Sequence, residues 1–438
     1  MSLGTLAIRG GTPARERPFP AYVVMDEAEQ EAARRVVESG ILSRFIGAWH
    51  PDFYGGPEVR AFEEEWADIC GTRHGVSVNS CTSGLIAAVG AAGVGPGDEV
   101  VVSPYSMSIS ATAPLVFNAV PIFADIDPND YCISADTIRP VITPRTKAII
   151  VVHIFGQVAD MGPIMKLAKE HNLTVIEDCA QVPFAHYYGH HAGTLGDMGV
   201  FSLNYHKHMH TGEGGLVITD DDGLAERVQL IRNHAESVVE DKGTSDIINM
   251  IGFNFRLGEL EAAIGREQLK KGLDLTEQRI ENVLYLEEQL QDLDGLSMPW
   301  VREDSRHVYY KHTLSYDSKK TDVDRPTLMK ALRAELPVTR LREGEGPLIA
   351  PGYVKPIYLL PIFNKKVGYG DKKCPFHCPH YEGDAVYEPG LCPNAERAHF
   401  ETVITHELMR PGMQRTDLDD VASAFRKVWD NLYLLEYS

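Results

Sequence analysis

Lys207 lies within FSLNYHKHMHTGEGG, residues 201–215, flanked by His206 and His208, with His210 two residues further on. Two chemistries suit this arrangement. A lysine amine becomes a nucleophile when desolvation or neighbouring positive charge lowers its pKa. Imidazoles spaced two apart share one face of a strand and could hold a transition metal. A metal centre also wants carboxylate or thiolate partners, and the glycines after Thr211 weaken the strand reading. The histidines are therefore expected to line a polar site mouth, with no metal. Those glycines would let backbone pass close to a ligand before the strand-like LVITDD.

Three further segments carry groups that could work with such a lysine. In VNSCTSGLIAAVGAAG a strand ends near Val78, and Asn79, Ser80 and Thr82 lead into an apolar helical run. Free N–H groups and the dipole at a helix start attract an anion such as phosphate, although simple capping is the plainer reading. In TVIEDCAQ an apolar strand delivers Glu177 and Asp178 at its carboxyl end. A buried acid there needs a cation, a metal or a protonated ring nitrogen, or else serves as a cap. In IGFNFRLGELEAA, Asn254 and Arg256 stand just before a helix. Separately, Cys374, Cys378 and Cys392 with His377 and His380 fall in one loop. Their C-x3-C spacing departs from paired zinc knuckles and leaves a substrate-capping loop as the other reading.

The elements that must position these groups are an alternation, over about 60–220, of short β-branched runs with helical or turn-rich segments. That pattern predicts βαβ units and a mostly parallel sheet covered by helices, with ligands beyond the carboxyl ends of its strands. Residues 255–294 have the three- and four-residue apolar steps of amphipathic helices. HVYYKHTLSYD reads as a strand. TDLDDVASAFRKVWDNL reads as a closing helix, with Thr416 as N-cap and Val421, Phe425, Val428 and Leu432 on one stripe. The expected division is an N-terminal arm and large α/β domain over 1–270, then a connecting helix and smaller C-terminal α/β domain over 271–438. The Gly/Pro/Tyr/His-rich stretch near 340–400 is expected as a long loop or insertion.

The chain has 438 residues, 44% hydrophobic and 24% charged, the balance of a globular protein with a large core. Its net charge of -20 would repel a nucleic-acid backbone, so no nucleic-acid partner is expected. No run reaches the ~18 apolar residues of a membrane span, and the N-terminus lacks a signal-peptide core, so a cytoplasmic protein is expected. Seven scattered cysteines suit reduced thiols better than a disulfide framework.

Taken in order along the chain, the four segments resemble the pyridoxal-phosphate aminotransferases of fold-type I. More closely, the chain resembles the DegT/StrS family of sugar and cyclitol aminotransferases. The resemblance runs from LAIRGGTPAR through GPGDEVVVSPYS, VPIFADIDP, VVHIFGQVADM, VIEDCAQ and GTLGDMGVFSLNYHKHMHTGEGG to GFNFRLGELEAA. It implies pyridoxal 5'-phosphate bound to Lys207 as a Schiff base, with Asp178 paired to the ring nitrogen and Gln181 near the ring hydroxyl. Ser80, Cys81, Thr82 and Ser202 match the phosphate cup, and Asn254 matches a residue lent by the neighbouring subunit of a homodimer. Relatives place an aromatic ring on the cofactor from the segment after GDEV; here Ser108 takes that position, with Tyr105 three residues away.

The implied activity moves an amino group from glutamate or glutamine to a keto-sugar, often nucleotide-linked, or to a keto-cyclitol. The family's dehydratase branch replaces the lysine by histidine, so Lys207 favours transamination. A non-catalytic cofactor- or sugar-binding regulator is the reading from another class, and it has no need to keep both Lys207 and Asp178.

Overall fold

The runs Val100–Val102, Ala148–Val152 and Val175–Ile176 are buried throughout, the condition of strands covered on both faces. The computed structural model describes residues 4–435; the outermost residues of the two expected domains, 1–3 and 436–438, lie outside it. Seven strands form the main sheet: β1 (His74–Val78), β2 (Glu99–Val102), β3 (Val120–Phe123), β4 (Thr146–Val152), β5 (Thr174–Asp178), β6 (Met198–Ser202) and β7 (Gly215–Thr219). Their order is β1-β7-β6-β5-β4-β2-β3. All neighbours run parallel except β7, which is antiparallel to β1 and β6. The fold is therefore the expected mostly parallel α/β architecture.

Register decides what meets at the sheet's end. Val152 pairs with Asp178, Asp178 with Val200, Ser202 with Gly215, and Gly215 with Val78. The turns after β1, β5 and β6 thus open side by side. Helix α1 (Glu27–Ser39) stands off the sheet, around which lie α2 (Pro57–Cys70), α3 (Cys81–Ala91), α4 (Ile109–Val116), α5 (Met161–His171) and α6 (Asp222–Arg232).

The amphipathic pattern at 255–294 is one continuous helix, α7 (Glu259–Leu290), 32 residues and so about 48 Å long. Ala263 near its start packs with Ala32 and Val36 of α1, whereas Val283, Leu286 and Leu290 enter a second core. That core lies against a small antiparallel sheet of β8 (Leu296–Ser297), β9 (His312–Tyr316), β10 (Ile349–Ala350) and β11 (Val403–His406), ordered β8-β9-β11-β10. Helices α8 (Arg325–Glu335) and α9 (Arg415–Asp430) complete it, with Val421, Phe425 and Val428 of the predicted stripe buried.

Two expectations need correction. Only His312–Tyr316 of HVYYKHTLSYD is strand, because Tyr309 has a left-handed backbone (φ 47°) and Val308 N–H donates instead to Gly156 O at 3.0 Å. The N-cap of α9 is Gln414, which exchanges hydrogen bonds with Asp417, so Thr416 lies inside the helix. The 340–400 stretch has only short elements, as a long loop or insertion would, yet several of its aromatic residues join the core. Phe363 and Tyr387 pack at 5.6 and 5.7 Å from the Phe123 ring, and Tyr387 Oη donates to Pro121 O at 2.7 Å, covering β3.

His312 and His406 pair directly across β9 and β11, both buried, with Nδ1 and Nε2 2.8 Å apart. His406 Nδ1 accepts from Leu408 N–H, so its Nε2 is the donor of that pair. Burial pushes His312 down to about 3, against about 6.5 in an unfolded chain. A depressed histidine costs nothing above pH ~6.5, and the cost grows as pH falls from there toward the folded value. By pH 4.5 the expected loss from this residue is about 2–3 kcal/mol. Unfolding midpoints measured against pH should therefore fall more steeply for the wild type than for His312→Phe. Equal slopes would refute the assignment.

Candidate active site

Beyond the carboxyl ends of β5 and β6, a single cavity of about 760 Å³ gathers Ser80, Cys81, Thr82, Asp178, Gln181, Ser202 and Lys207. Seven of the eight candidate residues therefore meet at one place. Asn254 does not: it is exposed, and among the described residues its carbonyl alone is engaged, by Asn79 Nδ2 at 3.4 Å.

Lys207 follows a turn built by Asn204, whose carbonyl accepts from Lys207 N–H at 2.9 Å and whose Oδ1 accepts from His206 N–H at 3.2 Å. Asparagine closes such turns with its own side chain. Lys207 is 8% exposed, and among the described residues its Nζ has neither an ion pair nor a hydrogen-bond acceptor. Its neighbour is the Tyr310 ring, with the centroid 4.3 Å away, a contact worth about 0.5–2 kcal/mol.

Strand alternation sends the two acids of β5 to opposite sides. Glu177 is fully buried and accepts from His153 Nε2 and from the N–H groups of Gly193, Leu195 and Gly196 at 2.6–2.9 Å. Asp178 lines the cavity, and among the described residues its carboxylate accepts only from Ser110 Oγ at 3.0 Å and Ala180 N–H at 3.1 Å. Burial raises its pKa, against the hydrogen bonds and the charge of Lys207. Gln181 Oε1 accepts from Phe155 N–H at 2.7 Å, which leaves its Nε2 without a protein partner among the described residues.

Ser80 caps α3, accepting from Ser83 N–H at 3.1 Å. The backbone N–H groups of Cys81 and Thr82 have no partner among the described residues, so the start of this 11-residue helix presents two free donors. Gly215 makes the approach possible: a Cβ there would lie 2.7 Å from Cys81 N and from Ser80 C. The capping serine and the two free donors thus belong to one turn.

The histidines diverge. The segment after Ser202 is a series of turns, so a spacing of two puts no common face on them. His206 lines the cavity, held down to about 4 first by burial and then by Arg342. His208 is buried, with Nε2 2.8 Å from Val308 O, and His210 lies outside the lining. Among the described residues, three potential metal-ligand side chains come within 4.8 Å of one another only at His153, Glu177 and Cys179. Among the described residues no three of the cysteines and histidines of 374–392 come together, although Cys374 and Cys378 touch; Cys378 and Cys392 are buried apart from the cavity.

Tyr105 is fully buried behind the wall, its Oη accepting from Tyr353 N–H at 3.1 Å, whereas Met107 and Ser108 line the cavity. Sequence reasoning missed Ser110, Tyr310, Lys311, Arg342, Glu345, Tyr353 and Glu407. The charged cluster RLREGEG and the YYKH preceding β9 were the available signals.

A buried amine and a buried carboxylate, both without a counter-charge in contact, and two free helix N–H groups suit a ligand with an aldehyde, a basic ring nitrogen and a phosphate. Pyridoxal phosphate carries all three, and the residues present fit it.

The model of the DegT/DnrJ/EryC1/StrS aminotransferase family matches residues 26–377. A putative L-glutamine:3-amino-2,3-dideoxy-scyllo-inosose aminotransferase of Streptoalloteichus tenebrarius is 34% identical over 98% of this chain and 98% of its own. GDP-perosamine synthase of Caulobacter vibrioides is 38% identical over 59% of this chain and 69% of its own. The X-ray structure of the aminotransferase from Psychrobacter cryohalolentis superimposes with a TM-score of 0.79 at 27% identity, covering 95% of this chain and 100% of that one. Family, architecture and the geometry of the cavity agree: the chain belongs to the DegT/DnrJ/EryC1/StrS aminotransferase family.

Proposed function

We propose that this aminotransferase moves an amino group from glutamate or glutamine onto the carbonyl carbon of a keto-sugar or keto-cyclitol, using pyridoxal phosphate. The observation that carries this reading is the pairing in one cavity of Lys207 and Asp178, each buried and, among the described residues, neither in an ion pair. When bound, the cofactor accepts an amino group at its aldehyde carbon and delocalises the electrons left behind when a proton is removed beside it.

In this reading Lys207 would hold the cofactor covalently through Nζ, and its amine would be the base that takes the proton from the donor's α-carbon and the acid that gives one to the carbon receiving nitrogen. Asp178 keeps the ring nitrogen protonated, supported by Ser110. Gln181 Nε2 is the donor available to the ring hydroxyl. The N–H groups of Cys81 and Thr82, with Ser80 and Ser202, hold the phosphate. A homodimer would bring Asn254 of a second copy to that phosphate, consistent with its exposure outside this chain's cavity. The glutamine donor is supported by the relative named for it, and the two relatives between them name an inosose and a GDP-linked sugar.

Purified protein loaded with pyridoxal phosphate should show a visible absorbance band that bleaches on adding glutamine or glutamate and returns on adding a suitable ketone. A band unmoved by either donor would overturn the reading.

A further inference from the structure

Two pairs of histidines face each other across antiparallel strands, and they are built differently. His312 and His406 are buried, meet through Nδ1 and Nε2 at 2.8 Å, and His406 Nδ1 is occupied by Leu408 N–H. His186 and His191 oppose each other in a short hairpin, His186–Tyr187 and His190–His191. The hairpin turns at Tyr188 and Gly189, both in the left-handed region (φ 48° and 80°), as a two-residue turn requires. Both histidines are half-buried, and they bring Nε2 to Nε2, 3.3 Å apart. Among the described residues neither ring has another hydrogen-bond partner.

This spacing suits a shared ion better than a shared proton. A separation of 3.3 Å is long for a hydrogen bond. Two imidazole nitrogens bound at 2.0–2.1 Å to one tetrahedral zinc stand about 3.3–3.4 Å apart. The rings lean together at their Nε2 ends, since their centroids are 4.1 Å apart and their planes 50° apart. Rotation about Cβ–Cγ, a soft torsion, aims both lone pairs at one point. The backbone is already fixed for this: His186 pairs with Arg306 of a third strand, Ser305 Oγ donates to His186 O at 3.0 Å, and Thr194 Oγ1 donates to His191 O at 2.8 Å. Arg306 lies close enough to act on both rings, and Glu277 Oε1 offsets its charge by accepting from Nη2 at 2.6 Å. The chain's net charge of -20 favours cations generally.

We propose that His186 and His191 chelate one divalent transition-metal ion of the zinc type through their Nε2 atoms, with water completing its shell. The site is separate from the cavity and does not depend on the amino transfer proposed above. Along the chain, the hairpin lies between Gln181 at the cavity and the Gly193, Leu195 and Gly196 N–H groups that hold Glu177. A bound ion would therefore tie down the connection between them.

The test uses the cofactor-loaded full chain, stripped with a chelator and titrated with Zn²⁺ in a calorimeter beside three variants. Wild type should bind one more equivalent than His186→Gln or His191→Gln, with a Kd on the order of 10 μM, because only two of a structural zinc site's four protein ligands are present. The comparison with wild type subtracts whatever Cys374 and Cys378 take up. His190→Gln should keep that equivalent, because strand alternation turns His190 to the other face with Tyr187. Saturating Zn²⁺ should also slow amide exchange over 186–191 by at least ~10-fold in wild type and leave it unchanged in the His186 and His191 variants. An unchanged number of sites in either of those variants, a Kd above ~1 mM, or the same loss in His190→Gln would overturn the inference.

Discussion

Lys207→Ala is expected to lower kcat by at least ~10³-fold and to remove the visible band of the cofactor-loaded protein, while leaving the fold intact. Proton transfer by a positioned side chain alone is worth about 10²–10⁴-fold, and here the same amine also carries the covalent attachment. The stability expectation has a separate origin. Lys207 Nζ has no acceptor among the described residues, so removing it breaks no hydrogen bond; the lost Tyr310 ring contact is offset by relief of a charge held in a largely buried position. The unfolding midpoint should therefore stay about level. Turnover and absorbance measured on the same preparation decide the matter, and a variant keeping both within tenfold of wild type would refute the role given to Lys207.

The second large effect separates two adjacent acids. Glu177→Ala leaves His153 and three backbone N–H groups without their acceptor in a fully buried place. Removing one partner of a buried polar network costs about 3–5 kcal/mol, so the denaturant midpoint should drop by that equivalent or the protein should fail to accumulate. Asp178→Asn should behave in the opposite way. The amide has nearly the same volume and no charge to desolvate, so stability should hold, whereas losing a preorganised charge at the reacting group should lower kcat by about 10²–10³-fold. Comparable loss of stability in both variants would show that the alternation of β5 does not divide structure from chemistry.

That alternation was legible in the sequence, because VIED is an apolar strand with two acids at its end. Lys207, Asp178 and the turn at Ser80 could be read for the same reason: each lies in a short local pattern whose chemistry is complete within a few residues. The wall of Lys311, Arg342, Glu345 and Glu407 could not. Lys311 and Glu407 meet only because β9 pairs with β11, and nothing near either residue announces the other. The histidine spacing misled because a period of two carries meaning only in extended chain, and the Asn204 turn denies it that. At α9, Thr is the better intrinsic cap, yet Gln414 takes the place through its reciprocal bonds with Asp417. The 340–400 stretch reads as a loop because it lacks periodicity. Its rings are spaced to fit Phe123, a residue more than two hundred positions away.

That fit bears on how the protein avoids its own neighbours in a crowded solution. β3 is an outer strand of the main sheet, and an uncovered outer strand invites another chain to add to it. Here Pro121 offers no N–H, Tyr387 occupies its carbonyl, and Phe363 and Tyr387 close over the same end. Strand-on-strand aggregation is blocked on that side by a segment that resembles a dispensable insertion. Copies that associate must do so through other faces, which keeps assembly and misassembly on separate surfaces.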